Sequence, residues 1–541
     1  MFEPHDFFWQ TPAMYFRPAL PALFAVFILV SGSGCQKSES PAAAVAPPTV
    51  QSPDTIAWAH WVGKHRLDMA ADAYYFSRVW SLPETARLQS QTFDRLAIGS
   101  WRLLLGEKAQ IPGAVLRPLF DDLAQEECYF EIRAASNSPA NFLLAVHVNP
   151  RRAGILETNL AIAAYLITGQ PAVANPAIHG WTLQQTNAPT HIFLSRVGDW
   201  TLVAAGPEQN SLSDEIAARI RRDGVPFVSS GTNLWLETSL DCPRLAACLP
   251  ALNSQLSTLN HVHFSLTGDG ANVITRGQLA FSEPLPSPLA PWQMPVDLLH
   301  DPLTGFTAVR GLQPWLAAWP PWRDLQIGAP PDQIFLWSVA GSPYQAYLAA
   351  PLPDAEVSAL TTWLLQKANP WLATNGYLTF ARAADANGVT WGNLPDIKPF
   401  IQSSGAGSNH WLFAGLLPDP RTAADPPPQG LIDDVLHRPD LVYYDWEVTG
   451  IRMEPDLVLG QTVRQVAHGT PMPMTSASLG WLAVLIPRLG TSATIATRTA
   501  PDQIDFYRRS TLGLTAAELH LLADWLESPQ FPRGLHSQSS P

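Results

Sequence analysis

Short runs in which apolar residues alternate with polar ones recur along this chain, each closed by turn residues and followed by a stretch of helical periodicity. A period of two sends alternate side chains to opposite faces of a strand, whereas a period near 3.6 gathers them on one face of a helix. "HIFLSRV" and "WTLVAAG" flank Gly198 and Asp199, which suit a two-residue hairpin loop, and a helix capped near Ser211 follows, stopped by Gly224 and Pro226. The order returns in "QIFLWSV" and "YQAYLAA" around Gly341 before a helix capped by Asp354. It returns again in "ATIATRT" and "QIDFYRRS" around Asp502 before a helix capped by Thr515. Turn and cap lie thirteen residues apart in all three. Thr515 and Glu518 form a capping box that Leu514 and Leu519 can staple.

Each hairpin is preceded by a strand that leads into a helix. "NFLLAVHV" precedes "RRAGILETNLAIAAYLI", "GFTAVRG" precedes "LQPWLAAW", and "LVYYDWEV" precedes helical sequence up to Val466. "NLWLETSL", "PRLAACL" and the hairpin "HVHFSLT"/"NVITRGQLAF" around "GDGA" make a shortened fourth example. Four degenerate units therefore begin near Asn141, Asn233, Gly305 and Leu441; they share pattern and little residue identity. Upstream, "SLPETARLQSQTFDRLAIGSWRLLLG" opens with a capping box from Ser81 to Glu84 and sets Phe93, Leu96, Ala97 and Trp101 on one helical face. The expectation is an α+β fold: antiparallel sheets from degenerate β-α-β-β-α units with helices on one face, preceded by an N-terminal helical segment from about Ile56 to Gly106.

Proline marks the boundaries. Residues Ser282 to Pro302 hold six prolines, which bars continuous helix or central strand and separates a first α+β half, 56–281, from a second, 303–528. "LPDPRTAADPPPQG", Leu417 to Gly430, reads as a long surface loop, and residues 529–541 as a disordered tail.

The chain opens with an apolar run from Ala19 to Val30, twelve residues including Pro21, where a spanning helix needs about 20. Glu3 and Asp6 are out of place in a basic leader, and a start at Met14 gives "MYFR" directly before the run. "LVSGSGC" then resembles a bacterial lipoprotein signal covering residues 1–34, with Cys35 as the lipid attachment site, although Gly32 stands where a leucine-like residue is usual. Ordinary cleavage near "PAAAVA" is the rival reading, and an incidental cysteine the third. By the same resemblance Gln36 permits sorting to an outer membrane. Residues 35–55, rich in Pro, Ala and Ser, read as a tether.

Composition narrows the partners. A net charge of -13 repels nucleic-acid phosphates. Arginines outnumber lysines 28 to five, a bias that a G+C-rich genome explains without guanidinium sites. Beyond Cys35 remain Cys128, Cys242 and Cys248, whose spacing fits neither a zinc site nor a C-x-x-C redox motif; buried free thiols are the expectation, and a local Cys242 to Cys248 bridge is the alternative.

"LPETARLQSQTFDRLA", "LTGDGANVITRGQL", "DPLTGFTAVRGLQPWL", "LVYYDWEVTG" and "LTAAELHLLADWLE" together resemble a family of uncharacterised exported bacterial proteins, over most of the chain from about Ile56 to Glu527. The resemblance implies export and a shared fold. It transfers no functional residue, because that family has no established activity.

No G-x-S-x-G, H-E-x-x-H, G-x-x-x-x-G-K or C-x-x-C-H motif is present, and no paired G-x-G-x-x-G follows a strand. Three constellations remain. His261 and His263 share one strand face as two metal ligands would, or as a polar face in water. Asp445 and Glu447 share a face with Tyr443 at about 7 Å, a separation that suits glycosidase carboxylates, and equally suits charges facing solvent. Trp315, Trp319 and Trp322 suit sugar stacking if exposed, while the helical spacing of Trp315 and Trp319 reads as core. No residue is assigned a catalytic, cofactor or metal role. The sequence reading is a non-enzymatic, envelope-anchored structural or binding protein, held to the membrane by an N-terminal lipid and facing the periplasm or outside, with an envelope protein or glycan as partner and no nucleic acid. The alternative is a periplasmic hydrolase acting on glycans through Asp445 and Glu447.

Overall fold

The computed structural model describes residues 52–105, 113–134, 140–184, 191–206, 211–229, 231–248, 258–285, 288–325, 328–340, 345–374, 379–383, 388–391, 399–406, 409–417, 427–455, 457, 476–529 and 531–532. The leader, Met14, Cys35, nearly all of the tether, the turn at Gly341, Val466, the middle of the loop after Leu417 and almost all of the tail lie outside them.

The fold is α+β. Its strands are β1 (Thr55–Trp61), β2 (Cys128–Arg133), β3 (Asn141–His147), β4 (Val173–Asn175), β5 (Gly180–Gln184), β6 (His191–Val197), β7 (Trp200–Gly206), β8 (Leu236–Asp241), β9 (Leu259–Gly268) and β10 (Val273–Phe281). Then follow β11 (Gly305–Arg310), β12 (Gln333–Val339), β13 (Gln345–Pro351), β14 (Phe380–Arg382), β15 (Gly388–Trp391), β16 (Phe400–Ala406), β17 (Asn409–Gly415), β18 (Leu441–Val448), β19 (Thr491–Ala500) and β20 (Gln503–Ser510). All twenty join one sheet, and every pairing in it is antiparallel.

Across the sheet the order is β4-β5-β6-β7-β3-β2-β1-β8-β9-β10, then β20-β19-β18-β11-β12-β13-β17-β16-β15-β14. Adding ten to each strand number of the first set gives the second set in reverse. Two ten-stranded halves of one topology thus meet edge to edge at the β10–β20 seam, the arrangement of a two-fold dimer written into one chain.

The helices repeat the duplication. In the first half they are α1 (Lys64–Asp68), α2 (Tyr74–Trp80), α3 (Pro83–Leu105), α4 (Arg117–Gln125), α5 (Pro150–Thr168), α6 (Ser211–Asp223) and α7 (Cys242–Cys248). In the second they are α8 (Gln313–Ala318), α9 (Pro320–Leu325), α10 (Asp354–Trp363), α11 (Asn369–Thr374), α12 (Gln429–Leu436), α13 (residues 449–455), α14 (Ala477–Leu485) and α15 (Ala516–Glu527). Directly opposed strand residues share a face, so the pairings sort the helices. α3, α5, α7, α14 and α15 cover a front face; α6 and α12, which lead into the equivalent strands β8 and β18, cover the back. Helices therefore occupy both faces where one was expected, because apolar clusters stand on both. Over the seam, Val79 and Leu88 of the first half join Leu482, Leu485, Leu519 and Trp525 of the second in one cluster, and Arg95 donates to the carbonyls of Leu526 and Ser528.

Three of the four expected units start where the pattern placed them, at β8, β11 and β18, with no strand inserted. The one expected at Asn141 also has its strand, helix, hairpin and helix, as β3, α5, β6–β7 and α6, with β7 paired to β3 and the short strands β4 and β5 inserted before the hairpin; the strand order shows in addition that β3 and α5 close a further unit begun by β1 at Thr55. The segment from Ile56 is accordingly a strand before it is helical, since "TIAWAHW" buries nearly every residue between two strands. Two expected caps also move. The Ser81 amide closes α2 on the Ser77 carbonyl while α3 begins at Pro83, and Asp354 is the first residue of α10, its carboxylate taken by Ser403 and His410. The Thr515 capping box stands as read, and Gly198, at φ 61, closes the β6–β7 hairpin.

Candidate functional site

In β18, "LVYYDWEV" turns Tyr443, Asp445 and Glu447 to the front face, with Tyr444 and Trp446 behind. These carboxylates do not face solvent. Asp445 is 4% and Glu447 1% exposed, because α13, α14 and α15 fold back over the strand. Thr307 on β11 donates to Asp445 Oδ1 at 2.6 Å, while Asp445 Oδ2 is buried with no hydrogen-bond partner. Glu447 Oε1 accepts from the Ala516 amide, the first of α15, at 2.7 Å, and Oε2 lies 3.2 Å from Arg452 Nη1. On β20, Arg508 spans the rest of the layer. It donates to Thr494 Oγ1 at 2.9 Å, to the Gly513 carbonyl at 2.9 Å, and through two nitrogens to Glu518 at 2.7 and 2.9 Å. Glu518 is also the acidic member of the capping box. A polar layer thus bolts four strands to the N-terminus of α15.

Burial dominates its electrostatics. Loss of hydration pushes the Asp445 carboxyl above its ordinary range and the Glu447 carboxyl up to about 7, against the opposing pull of Arg452. Burial also works against the Arg508 charge, but Glu518 more than restores it and the guanidinium is held more firmly protonated than usual. A carboxyl near 7 has the proton affinity of a general acid. A glycosidase needs such a group at a cleft that admits sugar, whereas here α15 closes directly onto Glu447 through the Ala516 amide.

The histidine pair is divided between interior and surface. His263 is buried against Trp58, and His261 lies 3.1 Å from Ser239 Oγ through Nε2. Burial lowers the proton affinity of both rings. His263 is withdrawn from water while His261 keeps part of its surface exposed, so only one of the two fits a polar face in water, and among the described residues no group of three or more His, Cys, Asp or Glu side chains converges as a metal site. Trp315 and Trp319 lie outside the buried core: Trp315 is 40% exposed, and half-buried Trp319 follows the end of α8 at Ala318, its extended backbone before Pro320 breaking the helical face that the spacing implied. Trp322 donates to the Gly328 carbonyl. Cys128, Cys242 and Cys248 are free, and burial raises the thiols of Cys128 and Cys242 to about 12.

Sequence reasoning missed a second buried cluster, on the back of the first half. Glu131 on β2, fully buried, accepts from Tyr129 at 2.7 Å and Thr55 at 2.8 Å and pairs with Arg133, which reaches Glu215 on α6. The available signal was the charged pair of "CYFEIR", two residues apart inside an otherwise apolar strand.

Among the described residues no helix is long and apolar enough to cross a membrane. No family model matches the chain, and neither a curated protein nor a solved structure does.

Proposed function

We propose that the protein is a non-enzymatic, envelope-anchored structural or binding protein, tethered through a lipid on Cys35 and displaying its sheet and loops to an envelope protein or glycan. The observation that supports this is the sealing of Asp445 and Glu447 beneath α13 to α15: the carboxylate pair that a hydrolase would use is committed to joining sheet and helix. The leader, shorter than a span and ending at "GSGC", supports the anchor.

Two measurements test the reading. Metabolic labelling with a palmitate analogue is expected to mark the wild type and not Cys35→Ser; equal labelling removes the anchor. Crosslinking in intact cells is expected to recover an envelope component. A glycan hydrolysis screen that finds turnover abolished in a folded Asp445→Asn, Glu447→Gln variant would replace this function with the hydrolase.

A further inference from the structure

Helix α5 is apolar on the side that should be polar. Inward it packs small or compact residues, Ala153, Leu156, Ala163 and Ala164, against β3, β5, β6 and α3. Outward it carries Ile155, Ile162, Tyr165 and Leu166, between 37% and 51% exposed. Together with Ile167 and Val173 they are six of the fifteen large apolar side chains exposed among the described residues. A helix apolar all round belongs in an interior. From Thr158 to Ile178 the sequence contains no Asp, Glu, Lys or Arg, in a chain that is 15% charged, so the face lacks the ionic rim of an ordinary soluble surface.

The spacing of the outward residues fits a second helix. Arg151, Ile155, Thr158, Ile162 and Tyr165 follow one another at intervals of four and three, the rhythm of a helix that packs along another helix at a shallow angle. We propose that this stripe is an isologous interface: α5 of a second copy lies antiparallel along it, about a two-fold axis between Thr158 and Ile162. In that register Ile155 meets Tyr165 of the second copy and Thr158 meets its Ile162. Arg151, exposed in the first turn, reaches the C-terminal end of the second helix, which closes on Gly169 and has no basic residue in its own last turn. A cation there offsets the negative end of the helix dipole, and symmetry supplies the contact twice. Apart from Arg151, which this register sets against the far end of the second helix, the stripe carries no charge, so self-association brings no like charges together. The inference uses only α5 and is independent of the lipid anchor.

The test uses the full chain carrying Cys35→Ser, so that no lipid contributes. Sedimentation equilibrium is expected to show a dimer, and Thr158→Cys is expected to yield a dimer on treatment with a short bismaleimide where the parent does not. Ile162→Glu, placing a charge at the axis, is expected to weaken association about 100-fold with an unchanged circular dichroism spectrum. Leu436→Glu, at a similarly exposed apolar position elsewhere, is expected to leave the dimer intact. A monomeric parent overturns the proposal, as does a dimer that survives Ile162→Glu. A monomer that floats with phosphatidylethanolamine–phosphatidylglycerol vesicles, and stops doing so in Ile162→Glu, also overturns it and assigns the face to lipid.

Discussion

The two halves share a strand order and invert their chemistry. Along the front-face row through Asp445, the first half contributes the buried Thr275 at the seam and then Leu266, Leu236 and Trp61, apolar and tucked under the helices, while the second contributes Arg508, Thr494, Asp445 and Thr307. On the back-face row through His60, the first half presents Tyr129, His60, Glu237 and Ser265, whereas the second presents Tyr444, Ala308 and Phe335. The lesson concerns what an antiparallel sheet specifies. The backbone ladder fixes which strands are neighbours, and side-chain chemistry is free to exchange faces provided that each buried charge finds a partner. Both halves meet that condition alike, with a strand arginine clamped to a helix glutamate: Arg133 to Glu215 on α6, and Arg508 to Glu518 on α15.

The comparison breaks most readily at the two arginines. Arg508→Ala leaves Glu518 without its cation and Thr494 and the Gly513 carbonyl without their donor in a closed layer, and is expected to cost about 3–5 kcal/mol in urea denaturation. Arg133→Ala is expected to cost as much, about 3–5 kcal/mol, because the fully buried Glu131 loses its cation and only the half-exposed Glu215 can hydrate its freed charge. Unequal losses would show that the clamps are not equivalent. Leu266→Ala, which opens a cavity on the apolar side of the same row, is expected to cost about 3 kcal/mol, whereas Thr494→Val, which removes one acceptor from Arg508, is expected to cost about 1 kcal/mol.

A pH series sharpens the contrast. With its carboxyl near 7, against about 4.5 when unfolded, Glu447 binds a proton in the native state that the unfolded chain lacks between those values. Its contribution is therefore fully present below about pH 4.5, falls as pH rises, and is gone above about 7, a change of about 3 kcal/mol at most. Glu447→Gln, compared with the wild type by denaturation from pH 4.5 to 8, is expected to flatten that slope and leave the part due to Asp445, whose carboxyl burial also raises; an unchanged slope would place the proton elsewhere. The smallest effect is expected from Thr515→Ala, about 1 kcal/mol by thermal melting, since the cap serves one helix and Glu518 keeps its pairing with Arg508.

Local pattern carried much of this fold. Turn residues and alternation located hairpins such as β6–β7 and β19–β20, and the Thr515 box placed α15. The strand β1 was misread because a strand buried on both faces alternates little, and "TIAWAHW" sits beside long helices. The duplication hid because it resides in strand order, a long-range property, while the inverted faces erase residue identity between equivalent strands. For the site, the shared face of Asp445 and Glu447 was legible from a period of two. Their burial was not, because it depends on α15, which arrives some seventy residues later.

A sheet of this breadth ends in β4 and β14, each only three residues long. Such stubs offer too few unpaired amides to template the addition of a foreign strand, so the lattice of hydrogen bonds terminates at both rims and polymerisation through them finds no foothold. The widest element of the molecule thus carries its own stop signals.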